Sequence, residues 1–186
     1  EMVERDWSSD VCSSDLAVLM SEPLTSCLLV VAGWAAVRHR GSLRGVLIGG
    51  AILGLATLVR PSSLLAAPLL VLTQPRPWLT ALLRGAIATA VCVVVVLPWT
   101  ARNCRVMDGC AFVSTNAGWN LAIGARSETG RFVALRAQDG CPVVTGQVQQ
   151  DRCWAEVGRR AIARDPWGWL GKAPRKLSQT FSHESF

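Results

Sequence analysis

Ala86–Asn103, AIATAVCVVVVLPWTARN, is the stretch that decides the fold of this chain. An apolar run that reaches Leu97-Pro98-Trp99 and then turns polar is typical of a membrane-crossing helix arriving at the interface. The residues before it form long, nearly uncharged segments, whereas those after it are polar, rich in arginine and hold four of the seven cysteines. We therefore expect the last crossing to end here and a water-exposed domain to follow.

Apolar residues are distributed unevenly along the chain. They make up 51% of the 186 residues but are concentrated between Ala17 and Trp99. A straight helix needs about 20 apolar residues to cross the hydrocarbon core, and this half offers the candidate segments 17–37, 45–73 and 79–98. The sequence thus predicts an α-helical polytopic membrane region over 17–99. A small mixed, mainly helical extracytoplasmic domain is predicted over 100–186.

Residues 1–16 are expected to be foreign to the protein and disordered. Asp6–Leu16, DWSSDVCSSDL, looks like the translation of a common sequencing adapter; the alternative is a natural arm rich in Ser and Asp. Such segments are left out of fold reasoning. Without them the net charge rises from +6 to +10, because they hold one Arg and five acidic residues. We expect the remainder to be a fragment that lacks its native N-terminus and is truncated at its C-terminus.

Arg38–Arg44 gives the direction of the first crossing. Short loops rich in Lys and Arg are normally cytoplasmic, which places this loop inside and Glu22, at the other end of segment 17–37, outside. Pro23 is expected at the first helical position, with Glu22 as the cap residue. The excess of basic charge beside membrane spans favours lipid headgroups or phosphates as partners over nucleic acid.

Gly45–Thr73 has two interpretations. As one straight helix it would place Arg60-Pro61 at its middle, where Arg costs about 2.5–3.5 kcal/mol on insertion scales and Pro removes a helical hydrogen bond. As a hairpin, it has two short arms, 45–59 and 62–73, which meet at Arg60-Pro61 and return the chain to the side on which it entered. We favour the hairpin, after which the span 79–98 crosses outward.

Four cysteines follow the last predicted crossing: Cys104, Cys110, Cys141 and Cys153. Two pairs each bracket a short loop, and paired cysteines in an exported domain indicate disulfides. Free thiols and a metal site are the alternatives, although C-x5-C and C-x11-C spacings match the usual zinc ligand pairs poorly. Cys27 and Cys92 lie in predicted spans, where we expect them to pack as small apolar residues.

The second half is expected to mix strands, loops and helices. Ala111–Ser114 and Arg131–Leu135 are short apolar runs that could be strands, and the Gly- and Asn-rich Asn116–Gly130 is predicted as a loop. Residues 149–164 carry apolar side chains at helical spacing and predict a helix. Asp165-Pro166 begins a further helix, whose apolar and basic residues suit a position along the membrane surface.

Four stretches, in this order, resemble a known family. They are Ser21–Leu24 (SEPL), Gly54–Pro61 (GLATLVRP), Leu97–Asn103 (LPWTARN) and Ser114–Leu121 (STNAGWNL), followed by Gly124 and Thr129-Gly130. The set is similar to the polytopic glycosyltransferases of GT-C architecture that use polyprenyl-phosphate donors, such as protein O-mannosyltransferases and bacterial aminoarabinose transferases. The resemblance covers residues 17–186.

The resemblance implies transfer of a sugar from a polyprenyl-phosphate donor to a lipid, glycan or protein acceptor. The reaction would take place on the outer face of the bacterial plasma membrane. The catalytic carboxylate of such enzymes is expected on the first outer loop, a region absent here, so the general base is unassigned and the fragment should be inactive. Glu22 is the remaining acidic candidate, at an acceptor hydroxyl or at a divalent metal, the one cofactor considered. A simple capping role is the alternative for Glu22.

Basic and amide side chains expected near the outer face are the candidates for substrate binding. Arg60, Arg102 and Asn103 could meet the donor phosphate, since guanidinium pairs with phosphate through two hydrogen bonds. The alternatives are carbonyl binding at the helix break for Arg60 and interfacial anchoring for Arg102 and Asn103. Asn116 and Asn120 could bind sugar hydroxyls, with turn geometry at positive φ as the alternative.

Two other classes of protein stay open. In a transporter or permease, Arg60-Pro61 would mark a broken helix beside a substrate path, but further spans should then replace the polar residues 100–186. A non-catalytic, membrane-anchored binding domain would need neither Glu22 nor Arg60 at membrane depth.

Overall fold

The computed structural model describes residues 7–75, 77–142 and 145–181, with side chains from Ser21 to Gln179. These residues are helical or irregular and include no strand. The chain divides into two compact units, residues 1–100 and 101–186, close to the boundary expected after Trp99.

Eight α-helices are found in the described residues. In the first unit they are α1 (Trp7–Arg38), α2 (Leu43–Val59), α3 (Ala66–Leu69) and α4 (Trp78–Val106), whose residues from Ala101 onward belong to the second unit. Short 3-10 turns, Pro61–Leu65 and Leu70–Thr73, flank α3. The second unit adds α5 (Ala117–Arg126), α6 (Gln147–Arg164), α7 (Pro166–Gly171) and α8 (Ala173–Phe181), with a 3-10 turn at Ala137–Asp139.

α1 begins earlier than the sequence suggests. Residues 7–16, expected to be disordered, are helical, while residues 1–6 lie outside the described part. Extending an existing helix is cheap, because each added residue gains one backbone hydrogen bond. Pro23 was predicted at the first helical position with Glu22 as the cap residue. That prediction is wrong, since both residues lie inside α1.

The chain reverses direction at Arg60-Pro61, as expected for the hairpin and not for a single straight helix. Arg60 is extended (φ −136°, ψ 113°) because a residue that precedes proline is crowded out of the helical region. The return arm, Pro61–Thr73, then runs back beside α2, so that Pro75 comes into contact distance of Gly41 just before α2 begins. Both ends of the hairpin therefore lie together.

α2 and α4 approach each other closely at two glycines. A Cβ atom on Gly50 would lie 2.6 Å from the carbonyl oxygen of Ala88, and one on Gly54 would lie 2.6 Å from the Cβ of Val95. Small residues four positions apart are the spacing that lets helices pack backbone to backbone in membranes. Since the two contacts follow the same order along both helices, α2 and α4 run in the same direction. The buried core around them consists of small or branched side chains: Ala32, Ala36, Val46, Leu53, Ala67, Leu70, Ala88 and Cys92.

Among the described residues, α4 alone is long and apolar enough to cross a membrane, which agrees with the expected span 79–98. Leu43–Val59 and Pro61–Thr73 are apolar but shorter, so the other expected crossings stay predictions. A break was expected at Leu97–Trp99, but α4 continues through Pro98 to Val106. The extra turns are anchored by Asn103, which is buried at 2% exposure.

The second unit is built on the contact between α5 and α6. Gly118 lies against the backbone of Asp151 with no room for a Cβ atom, and a Cβ on Gly158 would lie 2.9 Å from the carbonyl carbon of Leu121. The order of these contacts shows that α5 and α6 run in the same direction. Trp154 is buried between them at 1% exposure.

The segment 116–130, predicted as a loop, contains α5. Its Gly and Asn residues favour turns locally, but the Asp151 carboxylate on α6 accepts hydrogen bonds from the backbone N–H groups of Gly118 (2.8 Å) and Trp119 (3.1 Å). Asp151 thereby caps α5 from more than 30 residues away in sequence. Local sequence patterns do not reveal a cap so distant.

Both predicted strands, 111–114 and 131–135, are irregular. In the first, two carbonyl groups accept hydrogen bonds from the side-chain amide of Asn103, each at 3.2 Å, instead of pairing with another strand. In the second, the carbonyl group of Arg131 accepts a hydrogen bond from the Ser127 hydroxyl at 2.8 Å. The described part of the second unit is therefore helical and not mixed.

The predicted helix over 149–164 is confirmed by α6, and Asp165 caps α7 as predicted by accepting a hydrogen bond from the Gly168 N–H at 2.9 Å. The single helix expected beyond it is divided into α7 and α8. Three apolar side chains are exposed there: Trp167, Leu170 and Leu177. Lys172 instead pairs with Glu128 at 2.7 Å, and Lys176 donates to the Gly124 carbonyl at 2.6 Å. These two basic side chains bind the protein, and the position along a membrane surface stays a prediction.

The predicted disulfides are confirmed. The structure joins Cys104 to Cys110 and Cys141 to Cys153. Cys92 is fully buried, as expected for a packing residue. Cys27 is exposed on α1, so its predicted packing role is wrong within the described chain.

Replacing Gly118 by Ala should loosen the α5–α6 contact. Overpacking typically costs about 1–3 kcal/mol, which should appear as faster hydrogen–deuterium exchange in peptides from α5 and α6. The matched control is Gly124→Ala in the same helix, where a Cβ atom meets nothing within 4 Å. That change should slow exchange, because Ala in a helix is about 0.5–1 kcal/mol better than Gly. Equal effects of the two substitutions would contradict the contact.

The second unit should lose stability in acid. The pKa of the Asp108 carboxyl is held below its ordinary 3.8 by hydrogen bonds from the N–H groups of Val148 and Gln149, and the pKa of Glu128 is held below 4.5 by Lys172. Because both pKa values fall on folding, the stability is present above the ordinary values and is lost as pH falls through the lowered ones. Near-UV circular dichroism should show a lower Tm at about pH 3 than at neutral pH. Asp108→Asn should make this dependence shallower; an unchanged profile would contradict the role of Asp108.

Candidate functional site

Glu22 and Arg60, singled out separately in the sequence, form an ion pair. The Nη2 atom of Arg60 lies 2.6 Å from Oε1 of Glu22. The pairing follows from the helix directions: α1 and α2 run antiparallel, with Gly45 packed against His39 near one end of the pair. The other end therefore brings residue 22 on α1 beside residue 60, which directly follows α2. Neither the capping role of Glu22 nor carbonyl binding by Arg60 describes this arrangement.

The pair lies in a polar groove of about 340 Å³. Hydroxyl groups from Thr25 and Ser26 on α1 and from Ser62 and Ser63 after the chain reversal line it, with Leu29 and Ala66 as apolar walls. Ser63 is held there because its backbone N–H donates to the Arg60 carbonyl at 2.9 Å. The groove thus offers one guanidinium, one carboxylate and several hydroxyls to a bound molecule.

Both side chains of the pair are about half exposed on the chain. The Arg60 side chain is 46% exposed and the Glu22 side chain 54% exposed. Ion pairs as exposed as this contribute about 0–1 kcal/mol to stability. Such a pair adds little to the fold, and a ligand with a stronger acceptor than a carboxylate could take over the Arg60 guanidinium at small cost.

The opposite end of the first unit is basic. The loop 39–42, flanked by Arg38 and Arg44, connects α1 and α2 there, and Pro75, just after the return arm, lies beside it. Arg84 on α4 extends its guanidinium towards the same arm, donating to Oε1 of Gln74 at 3.4 Å. The acidic side chain Glu22 is therefore at one end of the unit and the arginine-rich loops at the other.

Arg102 and Asn103 were expected to meet a donor phosphate. The buried Asn103 amide instead donates to the carbonyl groups of Ala111 and Val113, and its oxygen accepts from Nη1 of Arg102 at 3.3 Å. Asn103 is thus a structural residue of the second unit. Arg102 is exposed and donates to the Asn103 side chain.

Asn116, at the cap position of α5, and Asn120, on α5, were the expected sugar-binding pair, but they have different surroundings. Asn116 lines a groove of the second unit, whereas Asn120 is exposed outside it. Turn geometry at positive φ does not apply, since Asn116 has φ −109° at the start of α5. Sequence reasoning missed the partners of Asn116 in this groove, Trp119 and Gln147 among them. The motif Ser114–Leu121 contained Trp119, but Gln147 lies far from it in sequence.

A divalent metal at Glu22 finds little support in the side chains around it. Such cations take several oxygen ligands, usually with more than one carboxylate or with substrate phosphates. Glu22 stands beside a guanidinium and hydroxyl groups, and within the described residues no three His, Cys, Asp or Glu side chains come together as a metal site. The residues present do not fit a metal centre.

No family model matches this chain, and no curated protein or solved structure matches it significantly. The resemblance to GT-C glycosyltransferases therefore depends on the motif stretches alone, and the function that it implies is a proposal.

Proposed function

We propose that this chain is part of an integral membrane glycosyltransferase, which transfers a sugar from a polyprenyl-phosphate donor to an acceptor. The observation that carries the proposal is the Glu22–Arg60 pair. Two of the stretches behind the resemblance, SEPL and GLATLVRP, contribute one charged residue each to the same polar groove, although they lie 38 residues apart. A shared ligand would explain why both motifs contribute to one groove.

In this proposal Arg60 binds the phosphate of the donor. A guanidinium offers paired donors that match phosphate oxygens, and it would stabilise the negative charge that develops on the leaving phosphate. Binding would release Glu22, whose carboxylate could then accept a hydrogen bond from an acceptor hydroxyl. The general base that deprotonates the acceptor is not assigned to any residue of this chain.

The proposed setting is the bacterial plasma membrane, crossed several times by the first unit. The helix directions support it: α1 opposes α2, the arm Pro61–Thr73 returns, and α4 runs parallel to α2. With the arginine-rich loops inside, the Glu22–Arg60 groove faces outward. The disulfides favour an extracytoplasmic position for residues 101–186, because such bonds persist in oxidising compartments. The acceptor would be a lipid, a glycan or a protein.

Loss of the Arg60 guanidinium should abolish most sugar transfer by the full-length parent. Arg60→Ala should lower kcat by about 10²–10³, the effect of removing one donor to a developing oxyanion, and Arg60→Lys should recover only part of it. The assay is release of polyprenyl phosphate from a radiolabelled sugar donor. Arg44→Ala, an exposed arginine of the basic loop, is the matched control and should keep normal turnover. Normal turnover by Arg60→Ala would refute the role, and sugar uptake without transfer would favour a transporter.

Cysteine labelling in intact cells should locate the second unit. With an impermeant maleimide, the disulfide-bonded cysteines should react only after reduction, without permeabilising the membrane. Labelling that requires permeabilised cells would put residues 101–186 in the cytoplasm. It would also move the Glu22–Arg60 groove away from the outer face and remove the basis for a donor site there.

A further inference from the structure

A second groove lies within the second unit, between the N-terminal ends of α5 and α6. Its volume is about 340 Å³, within the range of small-molecule pockets, about 300–1,000 Å³. Six side chains dominate its lining: Thr115, Asn116, Trp119, Gln147, Gln150 and Asp151. It shares no residue with the Glu22–Arg60 groove, and apart from Asp151 every one of these side chains is uncharged.

Trp119 provides the aromatic wall of this groove. Its ring is half-buried and meets Trp154 edge-on, with 5.5 Å between ring centroids and an interplanar angle of 76°. The buried Trp154 therefore fixes the orientation of the exposed part of Trp119. An indole held in this way presents a rigid apolar surface at little entropic cost.

Asn116 stands at the cap position of α5 but does not cap it. Its side chain makes no capping hydrogen bond, because the Asp151 carboxylate has taken the N–H groups of Gly118 and Trp119. The Asn116 amide is left exposed beside Trp119, and Gln147 presents a second exposed amide from the first turn of α6. An amide both donates and accepts hydrogen bonds, as a hydroxyl group does.

The charges around the groove select against anions. The free N–H groups at a helix start usually attract phosphate or carboxylate ligands. Here Asp151 occupies those of α5, and Asp108 accepts from the first-turn N–H groups of Val148 and Gln149 on α6. A negative ligand would meet the Asp151 carboxylate, so the groove suits a neutral molecule with several hydroxyl groups and one apolar face.

We propose that this groove binds a neutral carbohydrate. The C–H face of a pyranose ring would lie on the Trp119 indole, and its hydroxyls would pair with the amides of Asn116 and Gln147. Asp151 would accept from one further hydroxyl while its other bonds hold α5 in place. The proposed role of the groove is to bind the sugar.

The test is saturation-transfer NMR on the whole chain, with methyl α-mannopyranoside, methyl β-glucopyranoside and N-acetylglucosamine as probes. The chain should be kept in a zwitterionic detergent, since alkyl glycoside detergents would themselves occupy the groove. At least one probe should bind with a Kd on the order of 1 mM. Asn116→Ala and Gln147→Ala should each weaken binding about three- to tenfold, the value of one hydrogen bond.

The matched controls are Asn120→Ala on α5 and Gln149→Ala on α6, both exposed and outside the groove. They should bind the probes as the unchanged chain does. Failure of all three probes to bind, or equal weakening by control and groove variants, would overturn the proposal. Because binding is measured without turnover, this result is independent of the glycosyltransferase proposal. Inactive parent enzyme with intact sugar binding would count against that proposal alone.

Discussion

Proline at position 61 cannot continue the helix before it, because its ring lacks an N–H group and crowds the preceding residue. Arg60 is consequently extended, α2 stops, and the chain returns along its own path. The reversal leaves Arg60 at the end of the unit where Glu22 lies and carries the following arm back to the arginine-rich loops at the other end. The first unit therefore carries the Glu22–Arg60 ion pair at one end and the arginine-rich loops at the other.

Close backbone approach is the second constraint, and it operates in both units. Gly50 and Gly54 let α2 meet α4, as Gly118 and Gly158 let α5 meet α6. At Gly50, Gly118 and Gly158 an added Cβ atom would have to displace backbone atoms, and at Gly54 it would have to displace the side chain of Val95. The helices are consequently held by many weak contacts at short range, and their relative directions fix which side chains share a groove.

Local patterns predicted those features whose causes are local. The break at Arg60-Pro61, the helix 149–164 and the start at Asp165-Pro166 each depend on residues a few positions apart. The helix α5 was missed because its cap, Asp151, comes from a distant part of the chain, and the supposed strand 111–114 because Asn103 satisfies its carbonyl groups. Glu22 and Arg60 were each recognised by residue type, but their pairing required the antiparallel packing of two helices.

Because of the two disulfides, folding of residues 101–186 depends on whether the surroundings are oxidising or reducing. They join residues 6 and 12 positions apart, and a chain-entropy model assigns about 2–3 kcal/mol to each such loop. Their sum, about 5 kcal/mol, equals the entire stability of many small domains. In a reducing environment the disulfides would not form, and residues 101–186 would be only marginally folded and open to proteolysis. If residues 101–186 are exported, as proposed, their folding and their export would be coupled.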